Sequence, residues 1–399
     1  VSTLHLAAAL NGAGWHPAAW RHPAARPAAL FTAGYWTDLA AEAERGLLDL
    51  VTIEDYVALQ SSLPDGPDDR VDRVRGWLDA VLVAARVAPA TSRVGLVPTT
   101  STTHTEPFHV SIGIASLDYA SGGRAGWRPQ VTGRADAAAL FGRRDIAGFH
   151  PGTYGTPEAE PIATELFGEA ADAIEVVRRL WDSWEDDAEI RDAPTGRFID
   201  RDKLHYIDFE GPFFSVRGPS ITPRPPQGQP FVATLAHDTL PYELAARGAD
   251  AVFVTPHSTG HARSILAEVR AAEERVGRAL PPLKVLADVV VFLDDEPGAA
   301  RARKERLDEL DGAALDSDAE IFTGTPAELA DLLLDRRAAG LDGFRLRPGV
   351  LPHDLAKISG GLVPELRRRD AFRTEYAAAT LRGHFGLERP ASRYAGSPA

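Results

Sequence analysis

The sequence predicts an α/β protein built as a closed (β/α)8 barrel with insertions. Three observations carry this expectation. Eight short apolar runs of strand length alternate with longer runs of helical spacing, the pattern of a parallel sheet wrapped by helices. No GxGxxG follows the first strand, although an open dinucleotide-binding sheet would place one there. A chain of 399 residues also suits a single barrel that carries insertions.

The elements follow in order. An apolar strand opens the pattern at 4–10. A helix over 36–45 leads to a second strand at 48–55 that ends in two acids, Glu54 and Asp55. Residues 71–87 show helical spacing, with Val71, Val74, Trp77, Leu78 and Val81 on one face. The third strand is 92–98. Residues 116–127 read as a helix end, a two-glycine turn at Gly122 and Gly123, and the start of the fourth strand, 127–132. A long helix covers 164–184. Strands five to eight are 230–235, 251–255, 283–292 and 343–347.

One excursion breaks the alternation. Residues 185–229 are polar and rich in Pro and Gly, with short β runs at 205–209 and 212–216. They form an inserted arm between the fourth helix and the fifth strand. Such an insertion either sits over the strand C-terminal mouth, where barrel loops build active sites, or serves as a surface or dimer arm. Residues 1–389 make one domain, and 390–399 are expected to be a flexible tail.

Composition narrows the function classes. An apolar fraction of 44% with 25% charged residues is enough for a large globular core. A net charge of −14 argues against nucleic acid or an anionic membrane as partner, because phosphates would repel the chain. No apolar run reaches the ~18 residues of a membrane span. The first residues lack a basic stretch and a cleavage pattern, so a cytoplasmic location is expected. The absence of cysteine excludes thiol nucleophiles, disulfides and thiolate metal sites. The twelve histidines are scattered with no HExxH, so no metal site is expected, and no GxSxG elbow marks a serine hydrolase.

Several segments carry a family likeness: 50–55, 100–109, 116–127, 180–188, 218–220 with 226–230, 324–330, 363–369, 372–376 and 380–382. Together, and in this order, they resemble the bacterial luciferase-like flavin monooxygenases, in particular the nitrilotriacetate/dibenzothiophene-sulfone monooxygenase branch. The resemblance implies a TIM barrel that takes reduced FMN from a separate flavin reductase and uses O2 to oxidise a small organic substrate. It also implies a homodimer or homotetramer. Related barrels bind the deazaflavin F420, which stands as the alternative cofactor.

The resemblance also implies contacts. Asp55 would lie beside the flavin ring, its other reading being a helix N-cap. Thr100, Ser101 and Thr102 would face the ring, and His104 just beyond would touch flavin or substrate. His16 and Trp20 would line the substrate pocket, or simply pack their loop. Three places depart from the family pattern. Arg128 stands where the family has an Asn after Gly-Trp, and the catalytic residue is left open, with His104 and Arg128 as candidates. The family's His and Tyr, four residues apart ahead of the long helix, fall on Ala163 and Phe167. A His150–Tyr154 pair with that spacing lies about thirteen residues earlier. The phosphate-holding turn after strand five becomes Thr234, Leu235, Ala236, His237 and Asp238. An aspartate there opposes a phosphate unless His237 or Arg128 offsets it. A member that has lost flavin chemistry and acts as a non-catalytic binding or partner subunit is the alternative function.

Overall fold

The computed structural model describes residues 4–63, 66–146 and 153–395. Its strands are β1 (His5–Leu10), β2 (Leu50–Ile53), β3 (Gly95–Ser101), β4 (Gly126–Gln130), β5 (Glu189–Asp192), β6 (Arg197–Ile199), β7 (Phe209–Glu210), β8 (Ser215–Val216), β9 (Phe231–Leu235), β10 (Ala251–Val254), β11 (Lys284–Leu293), β12 (Glu320–Gly324) and β13 (Gly343–Pro348). Eight of them close a parallel barrel in the order β1, β2, β3, β4, β9, β10, β11, β13, with β13 pairing back onto β1. The expected TIM barrel is therefore present.

The helices wrapping it are α1 (Ala33–Arg45), α2 (Ala80–Val87), α3 (Pro107–Ser121), α4 (Ala135–Phe141), α5 (Glu160–Asp182), α6 (Thr239–Gly248), α7 (Thr259–Arg275), α8 (Ala299–Asp311), α9 (Pro326–Arg337), α10 (His353–Lys357), α11 (Val363–Arg368) and α12 (Leu381–His384). Helix α1 shows why they form. Thr32 caps it by accepting from Tyr35 N, and Tyr35, Trp36, Leu39, Ala40 and Ala43 bury one face on the barrel. Helix α9 starts with a reciprocal capping box between Thr325 and Glu328.

Two elements differ from the sequence reading. Strand β12 is additional: β11 outruns its neighbour β10, which pairs only as far as Ala287, and β12 takes the bare edge from Val289 to Leu293. The helix expected at 71–87 begins only at Ala80, where Asp79 caps it. Val71, expected on the apolar helical face with Val74 and Trp77, is 95% exposed. Arg70 and Arg73 instead tie the irregular segment to Asp311 at the end of α8.

The two-glycine turn is built as read. Gly122 and Gly123 take φ values of 66° and 89°, and the first closes α3 as a left-handed cap. Asp118 clamps the joint, accepting from Ala125 N, Gln227 N and Gln227 Nε2. Trp127 then meets Trp181 of α5 edge-on, with ring centroids 6.3 Å apart.

The barrel interior has two contrasting layers. The lower one is apolar: Ala7, Leu50, Val97, Phe231, Ala233 and Leu286 point inward, and Leu381 and Phe385 of the C-terminal segment plug the end. A Cβ on Gly95 would stand 2.5 Å from Leu381, so glycine makes room for the plug. The layer above, toward the strand C-termini, is charged.

The 185–229 excursion holds the hairpins β5–β6 and β7–β8. It leaves from the end of α5 and returns at the start of β9, so both its roots lie at the end of the barrel away from the C-terminal mouth. Phe209 and Ile207 pack on Val176 and Leu180 along the outside of α5. The segment thus lies along the barrel wall, and its tip at Phe213 and Phe214 reaches the rim beside Thr102 and His104. Residues 390–395 of the expected tail are docked: Ser392 Oγ donates to Asp182 O, and Tyr394 stacks on His205. Among the described residues no helix is long and apolar enough to cross a membrane.

Candidate active site

The strand C-termini converge on a charged floor. Arg128 on β4 donates to Glu54 Oε2 at 2.8 Å and to Thr99 Oγ1 at 3.0 Å. Glu54 also accepts from Thr52 Oγ1 at 3.0 Å and from Arg345 at 3.3 Å. Arg345 and Arg347, two apart on β13 and so on one face, both grip Asp288 of β11. Arg347 reaches on to Asp318 at 2.6 Å, and His237 Nε2 stands 3.4 Å from that same carboxylate. Burial alone would raise the pKa of Asp288, but the two guanidiniums overcome it and hold the carboxyl below its usual range. Three arginines thus balance three acids. None of Glu54, Asp288, Asp318, Arg345 and Arg347 stood out as a site residue in the sequence. The available signal was Arg345 and Arg347 alternating in an otherwise apolar strand, with Asp288 alone in an apolar run.

Beside this floor a cleft of about 860 Å³ opens over the rim where β2 and β3 end, between the first turns of α2 and α3. Asp55, Thr100 and Ser101 line it, so three of the expected contacts meet there. Tyr56 and Trp77 meet at a tilt in its wall, ring centroids 4.7 Å apart. Tyr56 is 40% exposed, but to the interior of the cleft: burial, and then the neighbouring Glu54, push its phenol up to about 12. Asp55 is pushed up to about 6, by burial first, with the Ala80 amide opposing. Its Oδ2 accepts from Ala80 N at 3.1 Å, so it also caps α2, and both readings of this residue have a physical basis.

The other expected contacts are spread more widely. Thr100 uses its hydroxyl to accept from Trp127 Nε1 at 2.7 Å. Ser101 Oγ donates to Thr132 Oγ1, and Thr102 Oγ1 donates to Gln130 O. These hydroxyls hold β3 to β4. His104 is buried and stacks on Phe141 at 4.7 Å, with Nε2 unpartnered. Burial, then Arg144, lowers its pKa.

His16 and Trp20 do not line the cleft. His16 Nδ1 accepts from Ala18 N, which leaves Nε2 to donate to Asp308 Oδ1 at 3.0 Å. Trp20 Nε1 donates to Asp72 O. Both pin loops, because each polar atom is already committed within the fold.

At the expected phosphate turn, Asp238 caps α6 and accepts from Thr239 N at 2.6 Å. His237 Nδ1 lies 3.0 Å from Thr255 Oγ1. Tyr154 packs on Phe167, centroids 6.3 Å apart, in one cluster with Ala163, and the field of Asp238 reaches it. The Tyr154 ring is thus a neighbour of Phe167 and Ala163. His150 lies outside the described residues.

Comparison with known proteins agrees with this architecture. The chain is 31% identical to N-acetyl-S-(2-succino)cysteine monooxygenase of Bacillus subtilis (strain 168), over 97% of both chains. It is 30% identical to nitrilotriacetate monooxygenase component A of Aminobacter aminovorans, covering 94% of this chain and 95% of the relative. The structure of EDTA monooxygenase from Chelativorans sp. BNC1 superposes with a TM-score of 0.80 at 24% identity, over 97% of this chain and 99% of that one, and shares the fold. The profile of the family described as Luciferase-like monooxygenase matches residues 13–308. With that match, full-length relatives and a closed (β/α)8 barrel, this chain belongs to the luciferase-like monooxygenase family.

Proposed function

We propose that the chain takes reduced FMN from a separate flavin reductase at the C-terminal mouth of its barrel and uses O2 to oxidise a small organic substrate. The observation that carries this reading is the cleft where β2 and β3 end, lined by Asp55 and Ser101, in a chain that matches monooxygenases over nearly its whole length. One such relative is itself named as component A of its enzyme, which supports a partner that supplies reduced flavin.

The residues fit the two ends of the cofactor unequally. A cleft of about 860 Å³ with two aromatic rings in its wall has room for a flat ring, and Asp55 and Ser101, which line it, are our candidates for its polar edge. The turn after β9 does not fit a phosphate. Asp238 already occupies the N-terminus of α6 with a carboxylate, so the helix dipole is spent on the protein's own anion. When bound, the flavin would supply the electrons and the reaction with O2. The chain's share is to position the reactants and keep water out.

The test is oxygen consumption with purified chain, flavin reductase, NADH and FMN, followed by mass spectrometry with labelled O2. Incorporation of one labelled oxygen atom into an organic substrate, dependent on the chain, is the expected result. Reductase-driven peroxide formation alone, across a broad substrate panel, would return the chain to a binding or partner role.

A further inference from the structure

The turn that follows β9 carries a charge pattern of its own. A phosphate on a flavin tail would be received there by open amides at the start of α6 and by a nearby cation. The turn has neither. Thr239 N donates to Asp238 Oδ1 at 2.6 Å, and Pro241, two residues on, has no amide hydrogen. That leaves the Leu240 amide in the first turn of α6, and just ahead of it Ala236 N donates to Phe253 O.

The cations nearby are committed. His237 Nδ1 lies 3.0 Å from Thr255 Oγ1, and its Nε2 faces Asp318. Burial lowers the pKa of His237, against the opposing pull of Asp318, and favours the neutral ring. Arg347, whose field reaches this ring, is held by Asp288 and Asp318, and Arg345 by Asp288 and Glu54. Tyr154 and Tyr242 lie close to the turn. Burial raises both phenols, Tyr242 to about 12; Asp238 adds to the effect on Tyr154, and Glu268 and Asp238 to that on Tyr242, with no cation opposing. Among the described residues, then, the charges around the turn are carboxylates and arginines already paired.

What the turn presents is an acceptor. The Asp238 side chain is exposed and Thr239 N engages only its Oδ1, so Oδ2 keeps its lone pairs for a hydroxyl donor. A ribityl tail ending in a hydroxyl can donate to it. A phosphate, close to dianionic and rich in acceptors, would meet a like charge. We infer that this chain reads the tail of its flavin as a neutral hydroxyl, so that riboflavin is held more tightly than FMN. The inference rests on the proposed reduced-flavin reading and concerns the end of the cofactor away from the ring; FMN is the weaker ligand of the same site.

The test titrates the full chain, anaerobically and at low ionic strength, with photoreduced riboflavin and with photoreduced FMN, and reads the quenching of tryptophan fluorescence. Riboflavin should bind at least about threefold more tightly than FMN. Asp238→Asn keeps a competent cap on α6 and an acceptor oxygen while removing the charge. It should tighten FMN about three- to tenfold and leave riboflavin within about twofold. A wild-type preference below about threefold, or FMN as the tighter ligand, overturns the inference while the flavin site stands. So does an Asp238→Asn variant in which FMN gains nothing relative to riboflavin. Binding of neither flavin by a cooperatively folded chain would instead sink the monooxygenase reading itself, and this inference with it.

Discussion

Arg128 and Glu54 meet inside the barrel, Nη1 to Oε2 at 2.8 Å, with side chains only 7% and 6% exposed. The pair bridges β4 to β2 through Thr99 of the intervening strand β3. The family resemblance implied an amide where Arg128 stands. Its charge is met by Glu54 and the hydroxyl of Thr99, and the guanidinium forms part of the floor of the mouth.

Breaking that pair should cost stability. Arg128→Met leaves Glu54 buried with Arg345 as its remaining cation, and is expected to lose about 3–5 kcal/mol in urea unfolding. The double variant with Glu54→Gln should recover a large part, giving a coupling energy of about 2 kcal/mol in a double-mutant cycle. Strictly additive losses would show that the two side chains do not act as a unit.

Thr100 was expected to face a cofactor, but its hydroxyl serves Trp127. Thr100→Val should therefore cost about 1–3 kcal/mol in unfolding free energy, because it strands a buried indole N–H, whereas Thr100→Ser should cost far less. If valine is as stable as wild type and only flavin affinity falls, the hydroxyl belongs to the ligand site after all.

Asp238→Ser keeps a competent cap on α6 and removes the carboxylate. Stability should stay within about 0.5 kcal/mol. FMN should bind about three- to tenfold more tightly if its phosphate comes to this turn, while riboflavin, which lacks the phosphate, should be unaffected. Unchanged FMN affinity would mean that the phosphate is held elsewhere.

The raised pKa of Asp55, about 6, has a definite sign. A carboxyl whose folded pKa lies above its unfolded value stabilises fully below the unfolded value, near 3.8, and loses that contribution as pH rises through about 6. Asp79 and Glu54 add to the effect, with the Ala80 and Tyr56 amides opposing. Asp55→Asn should thus be more stable than wild type by about 1–2 kcal/mol at pH 8, with the gain shrinking toward pH 5. Urea melts at several pH values will read this, and a constant difference would mean that Asp55 titrates normally.

Much of the barrel was legible because strand runs and helical spacings follow local chemistry. The turn at Gly122 and Gly123 was readable for the same reason. What escaped was set by distant partners. Val71 to Trp77 have helical spacing, but Arg70 and Arg73 bind Asp311, more than two hundred residues away, and that holds the segment irregular. Strand β12 exists because β11 has a bare edge, which only the assembled sheet reveals. His16 and Trp20 could be read as pocket or as loop-packing residues, and their polar partners, Asp308 and the Asp72 carbonyl, are too distant in sequence to be read locally. The charged floor escaped because Arg345, Arg347 and Asp288 become partners only when the barrel closes. That Asp55, Thr100 and Ser101 lie along one cleft was legible because it follows directly from where β2 and β3 end.

The most direct test is an anaerobic titration of the full chain with reduced FMN, alongside the variant Ser101→Trp, which fills the cleft where β3 ends. Wild type is predicted to bind reduced FMN in the low-micromolar range, about 1–10 μM, and the variant to bind at least about tenfold more weakly while its unfolding curve stays cooperative. No binding by wild type up to about 1 mM, or a folded variant that binds as well as wild type, would contradict a reduced-flavin site at this mouth.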